Sequence, residues 1–138
     1  MSVETEPCEP PRLGTLEAQV MDILWDLGPS SVREVIDALP HDPAYTTIAT
    51  VLANLRSKCL VTPCRDGRTS RCQARVTREE YVAALMGHAL ESSRDRTVAM
   101  MQFLQRMSED DRAVMRRVMD EVHHGHTAVE PRAKVAWQ

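Results

Sequence analysis

Apolar side chains fall along this chain in two rhythms, one helical and one extended. From Leu13 to Leu27 they recur at helical spacing, with Leu16, Val20, Ile23, Leu24 and Leu27 on one face and Trp25 near the end, until Gly28-Pro29 stops the run. Ser31 then caps a second helix, Glu34 completes an S-x-x-E capping box, and Val32, Val35, Ile36 and Leu39 face inward. A third helix begins between Asp42 and Thr46, and its Ile48, Val51, Leu52 and Leu55 keep the i, i+3, i+4, i+7 pattern. There the rhythm changes. Leu60 to Arg65 and Thr69 to Ala74 read as strands on either side of Asp66-Gly67, a dipeptide suited to a tight turn that needs positive φ. This order predicts a mainly α fold with a small β-hairpin, a winged helix-turn-helix over residues 12–77, in which Trp25 is a core residue and Tyr45 an entry-turn residue.

Beyond Thr77 the helical rhythm returns. Thr77-Arg78-Glu79-Glu80 is a capping box followed by Val82, Leu85, Met86, Ala89 and Leu90 on one face. Val98, Met101, Leu104 and Met107 form a second stripe with Phe103 beside it, and Ser108 caps a third helix carrying Val114, Met115, Val118, Met119 and Val122. Three amphipathic helices after a complete small domain have little of their own chain to pack on, so residues 78–126 are expected to pair two copies into a homodimer. An intramolecular three-helix bundle is the alternative that the helix lengths allow.

Charge gives the third helix and the hairpin a common purpose. Between Ala44 and Arg78 the cations Arg56, Lys58, Arg65, Arg68, Arg71, Arg75 and Arg78 face a lone Asp66, a local balance of +6 in a protein of net charge -3. A basic strip on an otherwise acidic chain gathers phosphates without making the whole surface sticky. The outer face of the third helix holds Thr46, Thr47, Thr50, Ala53, Asn54 and Ser57, with no acid among them. Short hydroxyls and an amide suit a helix lying against base edges of double-stranded DNA, and Arg65, Arg68 and Arg71 near the hairpin tip suit the phosphate backbone beside the groove. The bland alternatives are a merely polar helix face and an arginine-decorated strand edge.

Four segments in this order, LGTLEAQVMDILW, SVREVIDAL, AYTTIATVLANLRSKCLV and RDGRTSRCQARVTREEY, resemble the BlaI/MecI family of penicillinase repressors, which is grouped with copper-responsive CopY-type repressors. The resemblance runs from about Leu13 to about Val122. It implies a dimeric winged-helix repressor on inverted-repeat operators, with Thr46, Thr47 and Thr50 in the base-reading and phosphate-contacting role. Two positions depart from the family pattern: Asn54 stands where Arg is usual, and Cys59 where Gly ends the helix. The family's switch, cleavage of an Asn-Phe bond in the dimerisation helices after a signal from a membrane-bound sensor protease responding to β-lactams, maps onto Gln102-Phe103.

Composition bounds the rest. With 138 residues, 43% of them hydrophobic, the chain suits one small domain plus an accessory helical element. No apolar run is long enough to span a bilayer and the acidic start does not read as a signal peptide, so a cytoplasmic protein is expected. Residues 1–11 and 127–138 read as disordered tails. There is no Ser/His/acid arrangement, phosphate-cradling glycine loop or HExxH, so neither an enzyme nor a cofactor is expected. His123-His124-Gly125-His126 reads as a cationic helix end before it reads as a metal site. The cysteines carry the rival reading, a redox- or metal-responsive regulator: Cys64 and Cys72 lie symmetrically about Arg68, as if facing across the wing, with Cys59 at its base. Outside DNA binding the alternative is a helical protein-interaction adaptor whose hairpin takes an acidic partner.

Overall fold

Helix stripes of this kind are stable only when they close on one another, and the first three do so around the base of the hairpin. The computed structural model describes residues 9–125 and orders them as α1 (Thr15–Leu27), α2 (Val32–Ala38), α3 (Tyr45–Ser57), β1 (Val61–Asp66), β2 (Thr69–Ala74), α4 (Arg78–Glu91), α5 (Arg96–Arg106) and α6 (Glu109–His123). The expected tail residues 1–8 and 127–138, with His126, lie outside the described residues. Residues up to Leu85 form one compact unit and those from Met86 a second. The division falls inside α4, whereas the sequence pattern puts it ahead of that helix.

In the first unit, α3 is the centrepiece. Ile48 and Leu55 are completely buried and Val51 and Leu52 nearly so, against Val20, Met21 and Leu24 of α1 and Val35 of α2. Burying a side chain of this size stabilises by roughly 1.5–3 kcal/mol, so this stripe fixes which face of α3 stays outside. Met21 joins the core, while Leu27, the expected end of the α1 stripe, is 61% exposed. Trp25 lies half-buried and donates its indole N–H to the Val76 carbonyl at 2.9 Å, tying α1 to the exit of the hairpin. Pro10 is buried and the Pro11 carbonyl accepts the Tyr81 hydroxyl at 2.6 Å, so residues 10 and 11, expected in a tail, are held against the unit.

The caps follow the sequence with one substitution of partners. Ser31, Thr77 and Ser108 each accept a backbone N–H three residues on, at 3.2, 3.0 and 3.1 Å, and Asp95, unforeseen as a cap, accepts from Val98 at 3.1 Å. The box at Ser31 is only half made. Glu34 turns its carboxylate away to Arg71 of β2 instead of back to the Ser31 N–H.

At its other end, α3 closes in a Schellman motif: Cys59 N–H bonds the Arg56 carbonyl at 3.0 Å and Leu60 N–H reaches the Leu55 carbonyl at 3.0 Å. Completely buried Leu55 and Leu60 supply the apolar contact that accompanies this motif. The left-handed residue is Cys59, at φ 60°, where a Cβ is unfavourable. The departure from glycine noted in the sequence is therefore a strained position.

The hairpin pairs Val61 with Ala74 through Asp66 with Thr69. Its loop is thus Gly67-Arg68, with Gly67 at φ 62° and Arg68 outside the positive region, the pattern of a type II′ turn. Ser30, buried before α2, exchanges both backbone hydrogen bonds with Cys72, at 2.9 and 2.8 Å, and so adds a bridge to β2.

In the second unit, neither α5 nor α6 contains a buried residue. Arg112 donates to the Leu104 and Gln105 carbonyls at 3.0 and 3.4 Å, which links the start of α6 to the end of α5. Among the described residues no helix is long and apolar enough to cross a membrane.

Strain at Cys59 predicts its own relief. Cys59→Gly is expected to raise unfolding stability by about 0.5–1 kcal/mol, the left-handed penalty less the extra entropy of glycine in the unfolded chain. Cys59→Ala keeps the Cβ and should not reproduce this gain in a urea titration. A destabilised glycine variant would show that the thiol, not the backbone, governs this position.

Candidate nucleic-acid interface

The face of α3 opposite the core presents Thr46, Thr47, Thr50, Ala53, Asn54 and Ser57, all exposed and without a carboxylate among them. Thr50 spends its hydroxyl hydrogen on the Thr46 carbonyl at 2.8 Å, and Ser57 does the same to Ala53 at 3.1 Å. What they offer outward is therefore acceptor lone pairs and, for Thr50, a methyl group. Asn54, in the place of the expected arginine, keeps an amide that both donates and accepts.

The seven cations divide by environment. Lys58 is turned inward: its ammonium meets the Glu17 carboxylate at 2.7 Å and the Arg12 carbonyl at 2.9 Å. Arg71 is half-buried, with one guanidinium nitrogen 2.8 Å from Glu34 and 3.3 Å from the Pro29 carbonyl. Its Nε is buried with no hydrogen-bond partner, 3.8 Å from the Asp66 carboxylate. Arg78 bridges Asp22 and Asp26 at 3.5 and 2.8 Å and lies over the Trp25 ring. Arg56, Arg65, Arg68 and Arg75 are exposed, and none of the ion pairs among the described residues engages them. Of the cations assigned to DNA from the sequence, Arg65 and Arg68 stand free at the hairpin tip, whereas Lys58 and Arg71 act as internal ties. That difference was hidden in the sequence because their partners lie 41 and 37 residues away.

The cysteine pair does not face across the wing. Pro63 opposes Cys72 and Cys64 opposes Arg71, so the two thiols, offset by one register step, point to opposite faces of the hairpin. Burial pushes the Cys72 thiol up from its ordinary range, with Cys64 adding to the effect, which disfavours the reactive thiolate. Among the described residues no group of three His, Cys, Asp or Glu side chains is arranged to hold a metal ion. The geometry thus removes the observation on which the redox reading stood.

Lys58 and Glu17 also give a pH signature. The hydrogen bond from Lys58 holds the Glu17 carboxyl below the usual glutamate range. A depressed folded-state value stabilises the fold above the unfolded value near pH 4.5 and is lost as pH falls through the folded one. Glu17→Gln is expected to lower stability by about 0.5–1 kcal/mol at neutral pH and to have no effect under acid conditions. Equal destabilisation at both pH values in urea melts would contradict the ion pair.

The family profile described as penicillinase repressor matches residues 13–121. The transcriptional regulator BlaI of Mycobacterium tuberculosis, in strains CDC 1551 / Oshkosh and ATCC 25618 / H37Rv, is 43% identical over 121 residues, covering 83% of this chain and 88% of the relative. A MarR-like transcriptional regulator from Thermotoga maritima superposes loosely, with a TM-score of 0.46 and 19% identity over 82% of this chain and 76% of its own. The family match and the identity to the mycobacterial regulators are what decide the assignment: this chain is a winged-helix, DNA-binding transcriptional repressor and not an enzyme, and it belongs to the penicillinase repressor family.

Proposed function

We propose that this repressor acts as a homodimer on an inverted-repeat operator, entering the major groove with α3 of each copy and resting the hairpin tip on the flanking phosphates. The observation that carries the reading is the acid-free Thr/Asn face of α3 beside two unpaired arginines, Arg65 and Arg68. Thr46, Thr47, Thr50 and Asn54 read base edges. Because the Thr50 hydroxyl hydrogen is engaged within the helix, Thr50 contributes an acceptor to a base amino group or a methyl against thymine.

Dimerisation is supported by apolar surface left open. Leu85, Met101, Leu104, Val114, Val118, Met119 and Val122 are exposed and Met115 is only half-buried. On α6, Val114, Val118 and Val122 form one line and Met115 and Met119 the next, which is how a helix presents a seam to a partner. A second copy covers these stripes and links two half-sites. No residue of α5 or α6 is buried, which argues against the intramolecular bundle.

Release follows from the same arrangement. Gln102 and Phe103 lie in the middle of α5 and are exposed, Phe103 at 51%. A peptide bond inside a helix reaches a protease only after local unwinding, and α5, with no buried residue, has little to hold it closed. Cutting there separates the winged helix from α6, so dimer and operator occupancy fall together. A membrane-bound sensor protease system and β-lactam-response genes complete this reading.

Three measurements test it. In mobility-shift titrations, Thr50→Ala is expected to weaken operator binding by roughly 1–3 kcal/mol while sparing unrelated duplex, whereas Arg68→Ala weakens both and reduces the salt slope by about one per subunit. Equal losses on both DNAs for Thr50→Ala would remove α3 from base readout. Val118→Asp buries a carboxylate without a partner at the seam, so light scattering should report monomers with the winged helix still folded. An intact dimer would move the interface elsewhere. An engineered protease site between Gln102 and Phe103 should abolish operator binding once cut, and full binding after complete cutting would refute the release mechanism.

A further inference from the structure

One exposed cation outside the basic strip is held in a defined pose next to the recognition face. Arg33, the second residue of α2, sets its guanidinium 5.9 Å from the ring centroid of Tyr45, the first residue of α3. Arg33 is exposed and engaged by none of the ion pairs among the described residues, and the Tyr45 ring is 53% exposed. An exposed tyrosine stacked on an unpaired arginine buries little surface, so core packing does not explain it. Its ordering effect is on the arginine, which otherwise samples many rotamers.

Position determines what such a cation meets. At about 100° per residue, Tyr45 falls between buried Leu52 and the Thr46, Thr50, Ala53 and Asn54 face, on the same side of α3 as exposed and unpaired Arg56. In a helix-turn-helix the helix before the recognition helix crosses the nucleic-acid backbone, and Arg33 lies near the start of that helix, α2. We infer that Arg33, held in place by the Tyr45 ring, binds a backbone phosphate of the DNA at the amino-terminal end of α3. Arg33 is the contacting residue and Tyr45 a positioning residue. The inference rests on the DNA-binding reading above and extends its footprint to α2.

The test is a salt titration of binding to operator and to unrelated duplex DNA with full-length protein. Arg33→Ala is expected to weaken both by about 3–10-fold and to reduce the slope of log affinity against log salt by about one per subunit. Arg33→Lys keeps the charge and should retain the slope. Tyr45→Phe, which preserves the ring face, should bind as the native protein does, whereas Tyr45→Leu should lose affinity without losing slope. An unchanged slope in Arg33→Ala, with native protein forming its discrete complex, overturns the phosphate contact alone. Equal loss in Tyr45→Phe and Tyr45→Leu overturns the positioning role. Native protein that forms no discrete complex on any duplex overturns the DNA-binding reading itself and this inference with it.

Discussion

The angle between α3 and the hairpin depends on how the hairpin is held at its middle. Ser30 and Cys72 exchange two backbone hydrogen bonds, and next to them Arg71 spans from β2 to Glu34 and the Pro29 carbonyl. A two-stranded hairpin on its own is marginal in water, so these cross-links to the start of α2 give the wing a fixed direction. The Schellman turn at Cys59 sets the other end, because it decides how β1 leaves α3. With both constraints in place, the free arginines at the tip keep a constant relation to the threonine face. The half-made capping box is part of the same device: Glu34 gives up a local helix contact to hold the wing.

Periodicity made the helices legible. Ile48, Val51, Leu52 and Leu55 are where their spacing puts them, and the hydroxyl caps at Ser31, Thr77 and Ser108 need only local sequence to form. The strained Cys59 was legible too, because a residue replacing glycine at a helix end carries a known steric consequence. Charge partners were not. Lys58, Arg71 and Arg78 read as one basic strip with Arg65 and Arg68, yet their carboxylates come from α1 and α2, far away along the chain. The cysteines illustrate register. Symmetry about Arg68 assumes an odd loop, whereas the Gly67-Arg68 loop has two residues and shifts every pair by one, which turns Cys64 and Cys72 to opposite faces.

Pairing three of seven cations internally has a functional side. A surface that is basic everywhere binds DNA of any sequence, and long-range phosphate attraction adds nothing to discrimination. Tying down Lys58, Arg71 and Arg78 leaves Arg65 and Arg68 unpaired at the hairpin tip, and in the proposed function these orient the molecule while short side chains read the bases. The second unit complements this economy of charge. In the proposed homodimer its exposed stripes of methionine and valine are the surface that couples two heads, and such coupling raises affinity only where two half-sites have the right spacing.

Chemical footprinting of the protein on its operator distinguishes paired major-groove readout by α3 from any other mode of binding. A dimer reading DNA through α3 should give two protected half-sites related by a dyad, about one helical turn or a whole number of turns apart, with guanine N7 shielded in the major groove of each and protected phosphates on both flanks. A single asymmetric block, or protection confined to the minor groove, would contradict a dimer that reads DNA through α3.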